Sequence, residues 1–108
     1  MSIPVAVDDL PARLAELGDL AYLVTVGTER LAHVVSVRVE ADGEGRLAMT
    51  VGRRTLANLA VQPTATLLWP PDAAREHSLI VDGTAELQPG SDGRLRLHPT
   101  KAVLHRLA

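Results

Sequence analysis

No cysteine and no phenylalanine occur in the 108 residues, and Tyr22 and Trp69 are the whole aromatic complement. Without a thiol the chain has no disulfide framework, no thiolate nucleophile and no zinc-thiolate site. Without aromatic bulk the core falls to Val, Leu, Ala and Ile, and valine-rich runs favour sheet. A net charge of −2 gives no basic field to draw in nucleic acid. No apolar run approaches the length of a membrane span, and the N-terminus has neither the basic start nor the continuous apolar stretch of a secretory signal. A cytoplasmic location, with no nucleic acid and no membrane as partner, is the expectation. Also missing are a Gly-x-Ser-x-Gly elbow, a Walker loop and a Gly-x-Gly-x-x-Gly fingerprint, which removes most hydrolases, NTPases and dinucleotide folds. The histidines His33, His77, His98 and His105 show no metal-ligand spacing, and Asp82 and Glu86 are too far apart along a strand to act as a carboxylate pair.

A chain of this length is a single domain, 1–108, with a core small enough that a partner subunit would help. Asp8 or Asp9 can cap a first helix, with Pro11 near its start, Leu10, Leu14 and Leu17 at helical spacing and Gly18 at its end. From Ala21 the pattern becomes strand: 21–26, a turn at 27–30, then 31–40 with His33, Val35, Val37 and Val39 on one face. The Asp42-Gly43-Glu44-Gly45 tract is a turn, and 46–51 reads as a third strand with Leu47, Met49 and Val51 inward.

Residues 55–61 then switch to a short helix that Pro63 ends, and 64–69 alternates until Pro70-Pro71 stops it. Residues 78–87 alternate again, with Gly83 marking a bulge or a close approach. A Pro-Gly-Ser-Asp-Gly turn leads to a sixth strand at 94–98, interrupted by Pro99. The tail 101–107 fits period two and a terminal helical turn, and strand is the favoured assignment. The fold class expected is mainly β (α+β): a six-stranded antiparallel barrel with a short N-terminal helix and a short helix between strands three and four.

The segment Val51-Gly52-Arg53-Arg54-Thr55-Leu56-Ala57-Asn58-Leu59 carries the chemistry. Two guanidinium forks, a hydroxyl at Thr55 as N-cap and the unpaired N–H groups of a first helical turn together suit a phosphate. The competing reading makes Arg53 and Arg54 solvated turn residues, Thr55 a cap alone and Asn58 a partner for local backbone. His33, on the apolar face of the second strand, is expected to be a satisfied core imidazole. Trp69 is expected to pack against a dimer mate.

The strand order, the Val-Gly-Arg-Arg-Thr-x-x-Asn-Leu turn, Pro-x-Ala-x-Leu-Leu-Trp and Leu-Ile-Val-Asp-Gly-Thr-Ala together resemble the pyridoxamine 5'-phosphate oxidase-like split β-barrel family, from about Ala21 to the C-terminus. The resemblance implies a homodimer with FMN, or in some relatives the deazaflavin coenzyme F420 or haem, in a groove at the subunit interface, and it opens for His33 the alternative of a contact to a flavin edge or a haem. It carries the phosphate position onto Arg53, Arg54 and Thr55, a helix polar position onto Asn58, and a ring-binding wall onto Val35, Ser36, Val37, Met49 and Thr50. A flavin- or deazaflavin-dependent oxidoreductase acting on a small redox substrate follows, and needs no visible side-chain catalyst, because the cofactor carries the hydride chemistry. The C-terminal extension that supplies substrate-binding Arg and His in true pyridoxamine-phosphate oxidases is missing, so that activity is not expected. The alternatives are a split barrel that binds flavin, F420 or haem without turnover, and a cofactor-free dimer.

Overall fold

Alternation along the strands decides which face of the sheet turns inward. In the computed structural model, which describes residues 2–106, Ala21, Leu23 and Thr25 are buried while Leu20, Tyr22 and Val26 are exposed. The same alternation buries Ala65, Leu67 and Trp69, and Leu79 and Val81, and Leu95 and Leu97. The apolar members of this inward set belong to one cluster, filled mainly by leucine and valine around the single tryptophan.

The elements run β1 (Ser2–Val5), a 3-10 turn (Val7–Asp9), α1 (Leu10–Leu17), β2 (Leu20–Val26), β3 (Ala32–Arg38), β4 (Glu40–Ala41), β5 (Leu47–Thr50), α2 (Arg53–Val61), β6 (Thr64–Trp69), β7 (His77–Leu87) and β8 (Arg94–Arg106). They form one antiparallel sheet in the order β3-β2-β6-β7-β8-β5-β4, with β1 added to β8. Strands β3 and β5, from opposite ends of that order, approach each other without pairing, which makes the barrel split. Helix α1 sends Leu10 and Leu14 into the cluster, and Trp69 Nε1 donates to the Gly18 carbonyl at the helix end across 3.1 Å.

The six expected strands become an eight-stranded sheet. The sheet gains β1, whose Pro4 and mostly exposed residues carry no alternation to read. It gains β4 because Val39 turns into the core and breaks the long second strand, its N–H donating to the Asp19 carbonyl across 2.7 Å. Pro99 does not end a strand: β8 runs straight through it. Asp82 opposes Lys101 and Gly83 opposes Pro99, so Thr100 is the extra residue of a bulge, where a missing N–H is tolerated. Gly83 is both bulge and close approach, since a Cβ there would stand 2.6 Å from the His98 carbonyl oxygen. The tail is strand as far as Arg106 because its other edge pairs with β1; Leu107, the last residue of the expected element, lies outside the described residues.

Trp69 is 1% exposed and packs within its own subunit's core, correcting the expectation of a contact with a dimer mate. Asp82 and Glu86 lie on β7, a central strand: Thr66 donates to Asp82 across 2.6 Å, and Arg96 donates to Glu86 across 3.3 Å. No helix among the described residues is long and apolar enough to cross a membrane.

Candidate functional site

Helix α2 begins two residues earlier than its sequence pattern suggests. The Val51 N–H is anchored to the Gly93 carbonyl, Gly52 is extended, and Leu56 N–H closes the first turn on the Gly52 carbonyl at 3.1 Å. Gly52 is therefore the N-cap, with no side-chain cap bond, and Thr55 is the third helical residue, which corrects the cap expected at Thr55. Thr55 is 2% exposed, so its hydroxyl faces the interior and not a surface ligand. Arg53 and Arg54 stand in the first turn itself, both exposed, with no acidic residue beside them in that turn. Cations at a helix N-terminus oppose the helix dipole. A pair of arginines at that position is an electrostatic misfit that an anionic ligand would relieve.

The turn between β2 and β3 faces this helix end. Gly27, Thr28, Glu29, Leu31, Ala32, His33, Arg54 and Asn58 line a cleft of about 210 Å³ between them. Arg54 Nη2 lies 3.5 Å from Glu29 Oε2, an exposed pair across the cleft. Asn58 Nδ2 donates to Thr25 Oγ1 across 3.1 Å, so its amide ties α2 to β2 while lining the floor. His33, which belongs to no constellation by spacing alone, is half-buried in the same cleft.

A second cleft, of about 420 Å³, opens at the other end of β3 and is lined by Asp19, Ser36, Val37, Arg38, Val39, Glu40, Thr50 and Arg94. Its walls carry the Arg38–Asp19 and Arg94–Glu40 ion pairs, at 3.2 and 2.8 Å. Of the residues expected to form a ring wall, Ser36 and Thr50 are exposed and Val35 is half-buried. Val37 and Met49 are 5% and 1% exposed: their side chains belong to the core and form no surface wall. Between the two clefts β3 pairs with β2 alone, so its other edge is open along the split. Seven residues of open edge span roughly 20 Å of backbone donors and acceptors.

The outward face of the same strands is apolar. Leu20, Tyr22 and Val34 are 58%, 45% and 56% exposed. Val24 stands opposite Val34 on β3, while Tyr22 stands opposite Leu68 on β6, making one continuous patch.

No protein-family model matches the chain. Uncharacterized proteins of Mycobacterium bovis and Mycobacterium tuberculosis are 40% identical to it over 113 positions, covering 91% of this chain and 80% of theirs. Among solved structures, an FMN-binding protein from Syntrophomonas wolfei matches with a TM-score of 0.76 at 11% identity, over 94% of this chain and 87% of that one. HutZ, the haem storage protein from Vibrio cholerae, matches at 0.66 and 17% identity, over 90% and 94% of the two chains. An F420 reductase matches at 0.56 and 19% identity, over 83% and 87%. What these structures share with the chain is the fold, a split antiparallel β-barrel. The narrower likeness to pyridoxamine-phosphate oxidases has no counterpart among them.

Proposed function

The chain belongs to one family with the uncharacterized mycobacterial proteins, and from that premise we propose that it is a split-barrel protein that binds a flavin- or deazaflavin-type cofactor and acts as an oxidoreductase in the cytoplasm. The observation that carries this reading is the first turn of α2: two arginines where the helix dipole disfavours cations, one of which, Arg54, lines a cleft at one end of an unpaired strand edge.

The residues fit such a group. Arg53, Arg54 and the free N–H groups of the first turn would hold its phosphate, with Asn58 beside them. The open edge of β3 offers backbone donors and acceptors to the polar edge of a planar ring, with Ser36 and Thr50 at the far cleft. When bound, the cofactor supplies the hydride chemistry, and the protein's task is to orient the ring and exclude water from one of its faces. A second copy of the chain, seated on the Tyr22–Val34 patch, would complete the enclosure as a homodimer.

Titration of the purified protein with FMN and with F420, followed by absorbance and fluorescence, tests binding. A reduction assay with a nicotinamide or reduced deazaflavin donor then tests turnover with a small redox substrate. Failure of both cofactors to bind would reject the reading. A second reading rests on the half-buried His33 imidazole, which could ligate an iron: haem storage or sensing without turnover, recognised by a Soret band that His33→Ala abolishes.

A further inference from the structure

Beyond the apolar patch, the outward face of the sheet changes character. A cleft of about 300 Å³ opens across β2, β6, β7 and β8, and Asp82 is the one ionisable side chain among the described residues that line it. The sheet is bulged at that point. Asp82 opposes Lys101, Gly83 opposes Pro99, and the extra residue, Thr100, lines the cleft. A bulge of this kind re-aims the side chains around it.

What the cleft offers a ligand depends on where its hydroxyl protons already go. Thr66 donates to Asp82 Oδ1 across 2.6 Å, Thr100 donates to the Asp82 carbonyl across 3.2 Å, and Thr64 donates to Gln62 Oε1 across 2.9 Å. A hydroxyl has one proton and two lone pairs, so all of these now present acceptors. The half-buried Asp82 carboxylate only accepts as well, and it makes no ion pair among the described residues. Lys101, its neighbour in register on β8, is exposed and stands outside the lining. The side-chain donors left are the Gln62 amide and the Thr84 hydroxyl, both on exposed residues; Thr84 lies opposite Thr64, two residues along from the Thr66–Asp82 pair. An anion entering beside Asp82 meets a carboxylate and lone pairs.

We propose that this cleft binds a primary ammonium ion carried on a short aliphatic stem. Its positive charge and N–H groups match the Asp82 carboxylate and the lone pairs of Thr66 and Thr100, which flank Asp82 on the two neighbouring strands. The stem lies on Val24 and Val26 of β2. A divalent metal ion is a poorer occupant, because it takes many oxygen ligands and no group of three His, Cys, Asp or Glu side chains gathers among the described residues. The site needs no flavin. Val24, opposite Val34, brings it to the border of the patch where a second copy of the chain would sit, so a lysine or arginine of that copy is the rival occupant.

The test is an NMR titration of the full chain at neutral pH with n-butylammonium, n-butyltrimethylammonium and n-butanol, probes that share one alkyl stem. Expected are saturable amide shifts at residues 64–66, 82–84 and 100 with the primary ammonium and none with the other two. Asp82→Asn keeps the shape of the side chain and an acceptor for Thr66, and should weaken the primary ammonium about tenfold or more. Thr66→Val should weaken it about threefold or more, and Thr66→Ser should restore it, which keeps the test decisive if Asp82→Asn does not fold. Equal binding of the trimethyl probe or of butanol, binding unaffected by Asp82→Asn or by Thr66→Val, or no saturable shifts in wild type overturns the proposal. So does a wild-type dimer that binds no amine and becomes a monomer in Asp82→Asn, a result that gives the cleft to a side chain of the second copy.

Discussion

Asn58 on α2 donates its side-chain amide to the hydroxyl of Thr25 on β2 across 3.1 Å, and this bond joins the helix to the sheet beneath the candidate cofactor cleft. Thr25 is 1% exposed beneath that side chain. The same amide lies against Gly27, which leaves no room for a Cβ. One side chain thereby sets the distance between Arg54 and the turn that carries Glu29.

Asn58→Ala should lower unfolding stability by about 1–3 kcal/mol, the cost of stranding a buried polar group. Gly27→Ala should cost a similar amount, about 1–3 kcal/mol, because the side chain above it must shift. Denaturant midpoints of the two variants check both figures. Midpoints equal to wild type would mean that the Asn58 amide does not hold the helix in place.

Arg53→Ala should raise the stability of the cofactor-free protein, because it removes a cation from a helix N-terminus, a position worth about 0.3–1 kcal/mol. Arg54→Ala should gain less, since it also removes the Glu29 pair. Affinity for a phosphate-bearing flavin should move the opposite way, weakening about tenfold or more for each charge-assisted hydrogen bond that the substitution removes. Thermal melts without ligand and fluorescence titrations with FMN read the two effects separately. If stability and affinity fall together, the arginines are structural.

Val34→Arg places a charge at the centre of the outward apolar patch, opposite Val24. A homodimer through this face would bury that charge beside its own symmetry mate, so the variant should be monomeric in sedimentation velocity while its circular dichroism stays that of wild type. A wild-type protein that sediments as a monomer would rule out assembly through this face.

Asp42 predicts an acid limb of stability. Its carboxylate accepts from Glu44 N–H at 2.7 Å, the main cause that holds its pKa below 3.8, helped by Arg46 N–H at 3.1 Å and by the nearby Arg96 and Arg46 guanidinium groups. A depressed carboxylate contributes stability that is fully present above its ordinary value of 3.8 and disappears as pH falls through the lowered value. Asp42→Asn should flatten that part of the stability profile between about pH 5 and pH 2 and change the slope little at neutral pH. An unaltered acid limb in the variant would assign it to other carboxylates.

Most of the sheet is legible in period-two alternation, because β2, β3, β6 and β7 each have one core face and one more exposed face, whereas β5 buries Leu47, Ala48 and Met49 in succession. Strand β1 is not, since its pairing with β8 is a matter of where the chain's two ends meet. Pro99 is deceptive for a related reason: a proline ends a strand unless a bulge excuses its missing N–H, and the bulge depends on Gly83 across the sheet. At the site, arginines beside a helix start are visible as a motif. Thr55 has the character of a cap in sequence, because Ser and Thr are preferred at N-caps, whereas here Gly52, with extended backbone, takes that position.

By itself, the sequence determined the antiparallel strand pattern, the position of a short helix after the third of the readable strands, and the presence of two adjacent cations there. These are local properties, set by alternation, turn residues and composition. Only the tertiary structure decided that Glu29, His33 and Asn58 stand around Arg54, that Val37 and Met49 belong to the core, and that β3 keeps an open edge. Those facts depend on sheet closure, which leaves β3 and β5 apart and folds the 27–31 turn over α2, and no short window of residues encodes that distance.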